Sequence, residues 1–212
     1  LQLTKMGNKV IFDSHEDVPK QLLSKPYLNK PTLWLLSRVF RQYEKWVCSR
    51  LVGIIAATPC IRDKFLEINP NTVDINNFPL LGELASDTPW SAKSPEVCYV
   101  GGISKIRGIR ELCAAMGLLE SNARLNLCGD FGEPAVKAEA QSSPDWRRVN
   151  EFGFVGRDRV REVLARSMAG IVTLHPVPSY VEAQPIKMFE YMSAGIPVIA
   201  SDFPLWREIV EG

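Results

Sequence analysis

No run in this 212-residue chain is apolar for long enough to cross a bilayer, and its first residues, LQLTKMGNKVIFDSHED, show no basic-then-apolar leader pattern. The expectation is a soluble protein, or one that at most lies on a membrane surface. Charge of one sign is also missing. The net charge is +1, so nothing global suggests a nucleic-acid partner, and any electrostatic signal must be local. Cysteines are few and scattered. Cys48, Cys60, Cys98, Cys113 and Cys128 form an odd set with no C-x-x-C pair, which argues against a disulfide framework and a zinc site and for the reduced thiols of a cytoplasmic protein. The dinucleotide fingerprint G-x-G-x-x-G is absent too, because GGISKIRG does not supply it, and a nicotinamide-dependent dehydrogenase is disfavoured. What remains is ordinary globular material, 46% hydrophobic and 23% charged, enough for one large core or two modest ones.

From Glu96 onward, short β-type runs alternate with helix-type runs: VCYVGG and GIRELCAAMGLLE, RLNLCG and the Ala-rich segment from Pro134 to Gln141, VNEFGFVG and RDRVREVLARSM, AGIVTLHP and PIKMFEYMSAG, IPVIASD and PLWREIVEG. Five such repeats predict an α/β fold with a doubly wound parallel sheet, which binds ligands beyond the carboxyl ends of its strands. The front of the chain predicts a strand at Lys9 to Phe12, a helix from Pro31 to Cys48 with apolar positions at Leu36, Phe40, Tyr43 and Val47, a strand in LVGIIAAT, a helix in PCIRDKFLEI and a strand in TVDINNFP. This reads as the back half of another α/β domain, as if cut from something longer. The small, polar, Pro-containing stretch LASDTPWSAKSP suggests a linker at 85–95, between a partial domain at 1–84 and a second domain at 96–212.

Glu182 and Glu190 stand eight positions apart in YVEAQPIKMFEYMSAGIPVIASD. Pro185 suits a first helical turn and Gly195 a C-terminal stop, so a helix is expected from Pro185 to about Ala194. Two helical residues eight apart would be separated by roughly 12 Å and about 80° of rotation, which is no carboxylate dyad. With the helix placed as expected, the glutamates instead bracket an N-terminus whose free N–H groups, at Gln184, Ile186 and Lys187, can receive an anion. Spacing alone leaves two readings open: hydroxyl acceptors at the two ends of a phosphate-containing ligand, or a first-turn acid and a solvated helix residue.

The longer stretch PSYVEAQPIKMFEYMSAGIPVIASDFPLWREIVEG resembles the donor-site motif of the GT-B retaining glycosyltransferases of family 4, glycosyl transferases group 1: E-x7-E, a helix, an A-G-x-P-V strand entry and an acidic helix. YVGGISKIRGIRELCAAM resembles that family's first donor-domain strand, loop and helix, FGFVGRDRVREVLARS its base-contacting segment, and DSHED the His-containing loop of its acceptor domain. The resemblance implies two Rossmann-like domains, the first incomplete and the second lacking its last elements.

Site roles follow from the resemblance. Glu190 would accept from the nucleotide ribose and Glu182 from hydroxyls of the donor sugar. Backbone groups near Gln184, Pro185 and Ile186 would face the diphosphate, Arg107 would stand for the family's Lys at a K-G pair, and Phe154 and Val155 would lie against the base. His15 would stand near the transferred sugar. Gly101 and Gly102 form the strand-end loop, and here the family commonly has an Arg where this sequence has Gly102. Lys105, Arg107 and Lys187 are the candidates to supply the missing charge.

The implied reaction moves a hexose-type sugar from a nucleotide diphosphate sugar, UDP favoured over GDP, to a glycan or polyprenyl-diphosphate-linked acceptor in bacterial surface-polysaccharide or O-antigen synthesis, with retention. Negative charge growing on the leaving diphosphate is what such a site must stabilise. No D-x-D occurs, so neither a metal clamp nor another cofactor is expected. A nucleotide-sugar epimerase of the same architecture, or a nucleotide-binding fragment without turnover, are the alternatives.

One local charge signal remains. Between Lys20 and Arg50 stand Lys20, Lys25, Lys30, Arg38, Arg41, Lys45 and Arg50 against Glu44 alone, interleaved with Tyr27, Trp34, Phe40, Tyr43 and Trp46. Segment 20–50 therefore reads either as a peripheral contact with the inner face of the plasma membrane or as a solvated face whose aromatics fill a core.

Overall fold

The computed structural model describes residues 1–25 and 28–211, and its chain packs as two units. Residues 1–77 and 176–184 make the first, residues 78–175 and 185–212 the second. The stretch 85–95, expected as a linker, runs with the second unit's chain. There Lys93 donates to the carbonyls of Ala165 (2.8 Å) and Ser167 (3.0 Å).

The first unit begins with helix α1 (Gln2–Lys5), strand β1 (Ile11–Ser14), α2 (Val18–Leu22), α3 (Lys30–Cys48), β2 (Gly53–Ala56), α4 (Pro59–Leu66) and β3 (Thr72–Asp74). Its three strands are parallel in the order β1-β2-β3. Asn29 caps α3 by accepting the Thr32 N–H at 3.0 Å, and Thr58 caps α4 by accepting that of Ile61. Both helices carry Pro in the first turn, where the missing N–H costs nothing. The core gathers Cys48, Ile54, Ala56, Ile61 and Phe65. The face of α3 that turns inward is Leu33, Ser37, Glu44 and Cys48, not the expected apolar stripe of Leu36, Phe40, Tyr43 and Val47. The buried Glu44 carboxylate is kept by Lys64 at 2.6 Å, so a charge takes a position that periodicity assigns to an apolar residue.

The second unit continues with β4 (Glu96–Val100), α5 (Ile109–Leu118), β5 (Arg124–Cys128), α6 (Pro134–Ser142), β6 (Val149–Gly153), α7 (Arg157–Arg166) and β7 (Ala169–Val172). The chain then contributes α8 (Pro178–Val181) to the first unit, where it packs on α2, and returns with α9 (Ile186–Ser193), β8 (Val198–Ala200) and α10 (Pro204–Glu211). The five strands are parallel in the order β6-β5-β4-β7-β8, the doubly wound arrangement the alternating pattern predicts. Tyr99, Ile103, Ile109, Leu112, Met116, Leu125, Leu127 and Ile171 are among the side chains of its core.

A polar ladder crosses this sheet. Asn126, fully buried in β5, donates to Glu96 on β4 (2.7 Å) and accepts from Asn150 on β6 (2.9 Å), while Arg166 closes the chain by pairing with both Glu96 oxygens. Every buried polar atom in the ladder has a partner, so the ladder favours one register over a slipped one. The strand order reverses between β4 and β7, which places the ligand crevice of such a sheet beyond their carboxyl ends.

Candidate functional site

β4 leaves the sheet into Gly101 and Gly102, at that reversal point. Gly101 has φ +119°, a left-handed conformation that favours glycine. The 3-10 turn Lys105–Arg107 brings Arg107 back over the loop, where its guanidinium donates to the Gly102 carbonyl at 3.0 Å. The Tyr99 hydroxyl donates to the same oxygen at 2.9 Å. A Cβ on residue 102 would stand 2.6 Å from the Arg107 guanidinium nitrogen. The space above the strand-end loop is therefore filled by Arg107, and a side chain at 102 would displace it.

Lys187 reaches the same loop from α9. Its Nζ is buried, lies 3.8 Å from the Tyr99 ring centroid, and would be 3.2 Å from a Cβ on Gly101. Among the described residues, no hydrogen-bond acceptor reaches this Nζ. Burial, then the neighbouring Arg107 charge, push the ammonium pKa down to about 7, against a pull upward from Glu190. Helix α9 begins one residue later than expected, with Pro185 as its cap residue, and the Met188 N–H donates to Pro185 O at 2.9 Å. The N–H groups of Ile186 and Lys187 open the first turn of α9, at the positive end of the helix dipole.

Tyr191 fastens this helix to the sheet. Fully buried, its hydroxyl accepts the Val100 N–H at 3.0 Å, at the end of β4, and donates to Ile171 O on β7. Gly170 makes room for the ring, since a Cβ there would fall 2.3 Å from it. One turn from Lys187, Glu190 is largely buried and held by Arg157 through Oε1 at 2.5 Å. Arg157 in turn grips both oxygens of Glu83 at 2.8 Å, and that fork holds the Glu83 carboxyl below its ordinary pKa. Phe154 and Val155 follow β6, and Phe154 is 81% exposed, an open aromatic face.

Gly101, Gly102, Arg107 and Lys187 thus come together, with Glu190 in electrostatic range. Lys105 lies 3.6 Å from Glu139 on α6. Glu182, Gln184 and His15 belong to the first unit. There Glu182 Oε2 accepts from the Cys60 thiol at 2.9 Å and pairs with Lys20, and these two donors lower its pKa. His15 is exposed, with Asp13 at 3.2 Å on one ring nitrogen and Asn77 at 3.4 Å on the other. All five cysteines are free thiols. Among the described residues, no group of three or more His, Cys, Asp and Glu is placed to hold a metal ion.

Sequence reasoning missed Arg157, Tyr191, Lys20 and Cys60. Tyr191 could have been found as the aromatic neighbour of Glu190 in FEY. The rest depend on contacts between residues far apart in the chain, which spacing does not encode.

A family model described as glycosyl transferases group 1 matches residues 94–212. Against curated protein sequences the chain has no significant match. Among solved structures it is similar to HepE of Anabaena in complex with UDP-glucose, at TM-score 0.70 and 18% identity over 99% of this chain and 58% of that one. It is also similar to sucrose-phosphate synthase of Thermosynechococcus elongatus, at TM-score 0.67 and 22% identity over 94% of this chain and 52% of that one. The chain therefore spans little more than half the length of these structures, and at such identities they show the fold. The family model covers more than half of the chain, including the Gly101–Gly102 loop, Arg107, Arg157 and the Glu182–Glu190 segment, and the chain belongs to the glycosyl transferases group 1 family.

Proposed function

We propose that this chain carries the donor site of a retaining glycosyltransferase that moves a hexose-type sugar from a nucleotide diphosphate sugar to a hydroxyl. One observation carries the reading. Two basic side chains, Arg107 and Lys187, converge on a glycine loop at the sheet's reversal point, beside the N-terminus of α9. Such an arrangement suits a diphosphate: the loop admits close approach, the amides of Ile186 and Lys187 donate, and the cations stabilise charge that grows as the sugar leaves. Glu190 Oε2 would take a ribose hydroxyl while Arg157 holds Oε1, and the exposed ring of Phe154, with Val155, would meet the base. In the first unit, Glu182 Oε1 would accept from sugar hydroxyls, since Lys20 and Cys60 both use Oε2, and His15 would lie near the transferred sugar. The UDP-glucose bound to HepE favours UDP as the donor nucleotide.

Arg107, permanently charged, and Lys187, when protonated, would do what a metal ion does at other diphosphates. Isothermal titration with UDP, GDP and their sugars tests the reading. Nucleotide binding that Glu190→Ala weakens tenfold or more is expected, and no binding of any nucleotide would end the assignment. Product analysis with and without a glycan acceptor separates transfer from epimerisation and shows whether this chain turns over.

A second contact is favoured by α3. Trp34 (55% exposed), Tyr43 (57%) and Trp46 (49%) stand outside the core, with Arg38 stacked over Trp34 and Arg50 over Trp46. Tyr27 of this segment lies outside the described residues. No described helix is long and apolar enough to cross a membrane. We propose that Trp34 and Trp46, with the arginines stacked over them, rest on an anionic bilayer, where a polyprenyl-diphosphate-linked acceptor of surface-polysaccharide synthesis would be presented. Co-sedimentation with phosphatidylglycerol vesicles, lost in Trp34→Ala/Trp46→Ala and at high salt, is the expected result. Equal binding to neutral vesicles would refute it.

A further inference from the structure

The cluster at the glycine loop contains a group that diphosphate recognition alone does not explain, a buried lysine without a counter-ion. Lys187 Nζ is shielded from solvent, sits on the face of the Tyr99 ring, borders Gly101, and has no acceptor within hydrogen-bond reach among the described residues. The charged and titratable groups facing it are Arg107 from the turn after β4, Glu190 from its own helix, and Tyr99 from β4, whose hydroxyl is committed to Gly102 O. Arg107 opposes an ammonium there. Glu190 supports one, but its Oε1 is already paired with Arg157. An anion placed on the loop would reverse the balance, because it would sit against Nζ in a site from which water is excluded.

We propose that a diphosphate-bearing ligand binds the Gly101–Gly102 loop together with a proton, taken from solvent onto Lys187 Nζ. This rests on the donor-site reading above and deepens it. The balance is simple: neutral amine, proton and ligand give an ammonium–diphosphate pair, and no bond of the ligand is made or broken. In the unliganded protein the lysine's pKa of about 7 leaves the amine mostly neutral at pH 8. The positive charge is then loaded when the donor arrives, stays while the leaving diphosphate gains charge, and is shed when the nucleotide product departs.

Isothermal titration with UDP-glucose and with GDP-mannose, in phosphate, HEPES and Tris buffers, counts the protons. Both phosphates of such a donor are esterified and do not titrate near neutrality, so buffer-dependent heat reports the protein. At pH 8 the expected uptake is about 0.9 proton per site, falling to about 0.1 at pH 6. Affinity should drop about eightfold between pH 7.5 and 8.5, following the protonated fraction. Lys187→Arg, permanently charged, should bind without uptake and without that pH dependence, and Lys187→Met should bind more weakly, also without uptake. Wild-type binding with buffer-independent heat at pH 8, or uptake that persists in either variant, would overturn the proposal while leaving the donor site standing. No binding of either nucleotide sugar would overturn the donor-site reading and this inference with it.

Discussion

Replacing Lys187 by Met should make the unliganded protein more stable. In the unfolded chain the lysine has its ordinary pKa of 10.5, and in the fold burial and Arg107 lower this to about 7. Below pH 7 both states are protonated, and the full penalty of the buried charge is present. As pH rises through 7 the folded form sheds its proton, the unfolded form keeps it, and stability rises until about pH 10.5. At pH 7 the linkage amounts to about 4 kcal/mol of destabilisation, and between pH 6.5 and 8.5 it relaxes by about 2 kcal/mol. Met has a similar length and no charge, and losing the contact with the Tyr99 ring gives back about 1 kcal/mol. A net gain of about 3 kcal/mol at pH 7 is expected, with the wild type's upward slope between pH 6.5 and 8.5 reduced in the variant. Urea unfolding followed by circular dichroism at several pH values measures both. A variant that is no more stable at pH 7 and keeps the wild-type slope would show that Lys187 is neither desolvated nor shifted. A stabilising change that also weakens ligand binding is what a functional charge held at a stability cost should give.

Three further outcomes are expected. Arg157→Ala should weaken nucleotide binding about tenfold, because Glu190 and Glu83 lose the guanidinium that orients them; Arg157→Lys should restore little, since one ammonium cannot grip both Glu83 oxygens and Glu190. Gly102→Ala would put a Cβ 2.6 Å from the Arg107 guanidinium and displace it from the Gly102 carbonyl, so titration should show weaker nucleotide binding than in the wild type. Tyr191→Phe leaves the Val100 N–H without its acceptor, and urea unfolding should show a loss of about 1–3 kcal/mol.

Much of the second unit was legible in the sequence because its parallel strands are buried on both faces and read as short apolar runs, each followed by a helix with its own start and stop. Pro185 and Gly195 placed α9 to within a residue, the latter confirmed as a left-handed stop at φ +71°. Periodicity misled on α3, where hydrophobic side chains lie outward and Glu44 inward. A buried ion pair with Lys64 on another helix overrides the pattern, and nothing in the local sequence announces it. The packing of 176–184 with the first unit was equally invisible, since Glu182 and Glu190 are close in sequence but take their partners from different units. Glu182 finds Lys20 and Cys60, and Glu190 finds Arg157.

Gly102 shows where reading a motif by single positions fails. As a letter it is a lost charge, an Arg replaced by nothing. In the fold it is the absence of a side chain that lets the Arg107 guanidinium lie on the Gly102 carbonyl, so a cation stands over the loop although none is encoded at that position. An Arg restored at 102 would collide with the one already present, and the two like charges would also repel each other close to Lys187. A gain of charge in the sequence would then cost the loop its geometry, which makes the glycine and Arg107 one structural unit rather than a defect and its repair.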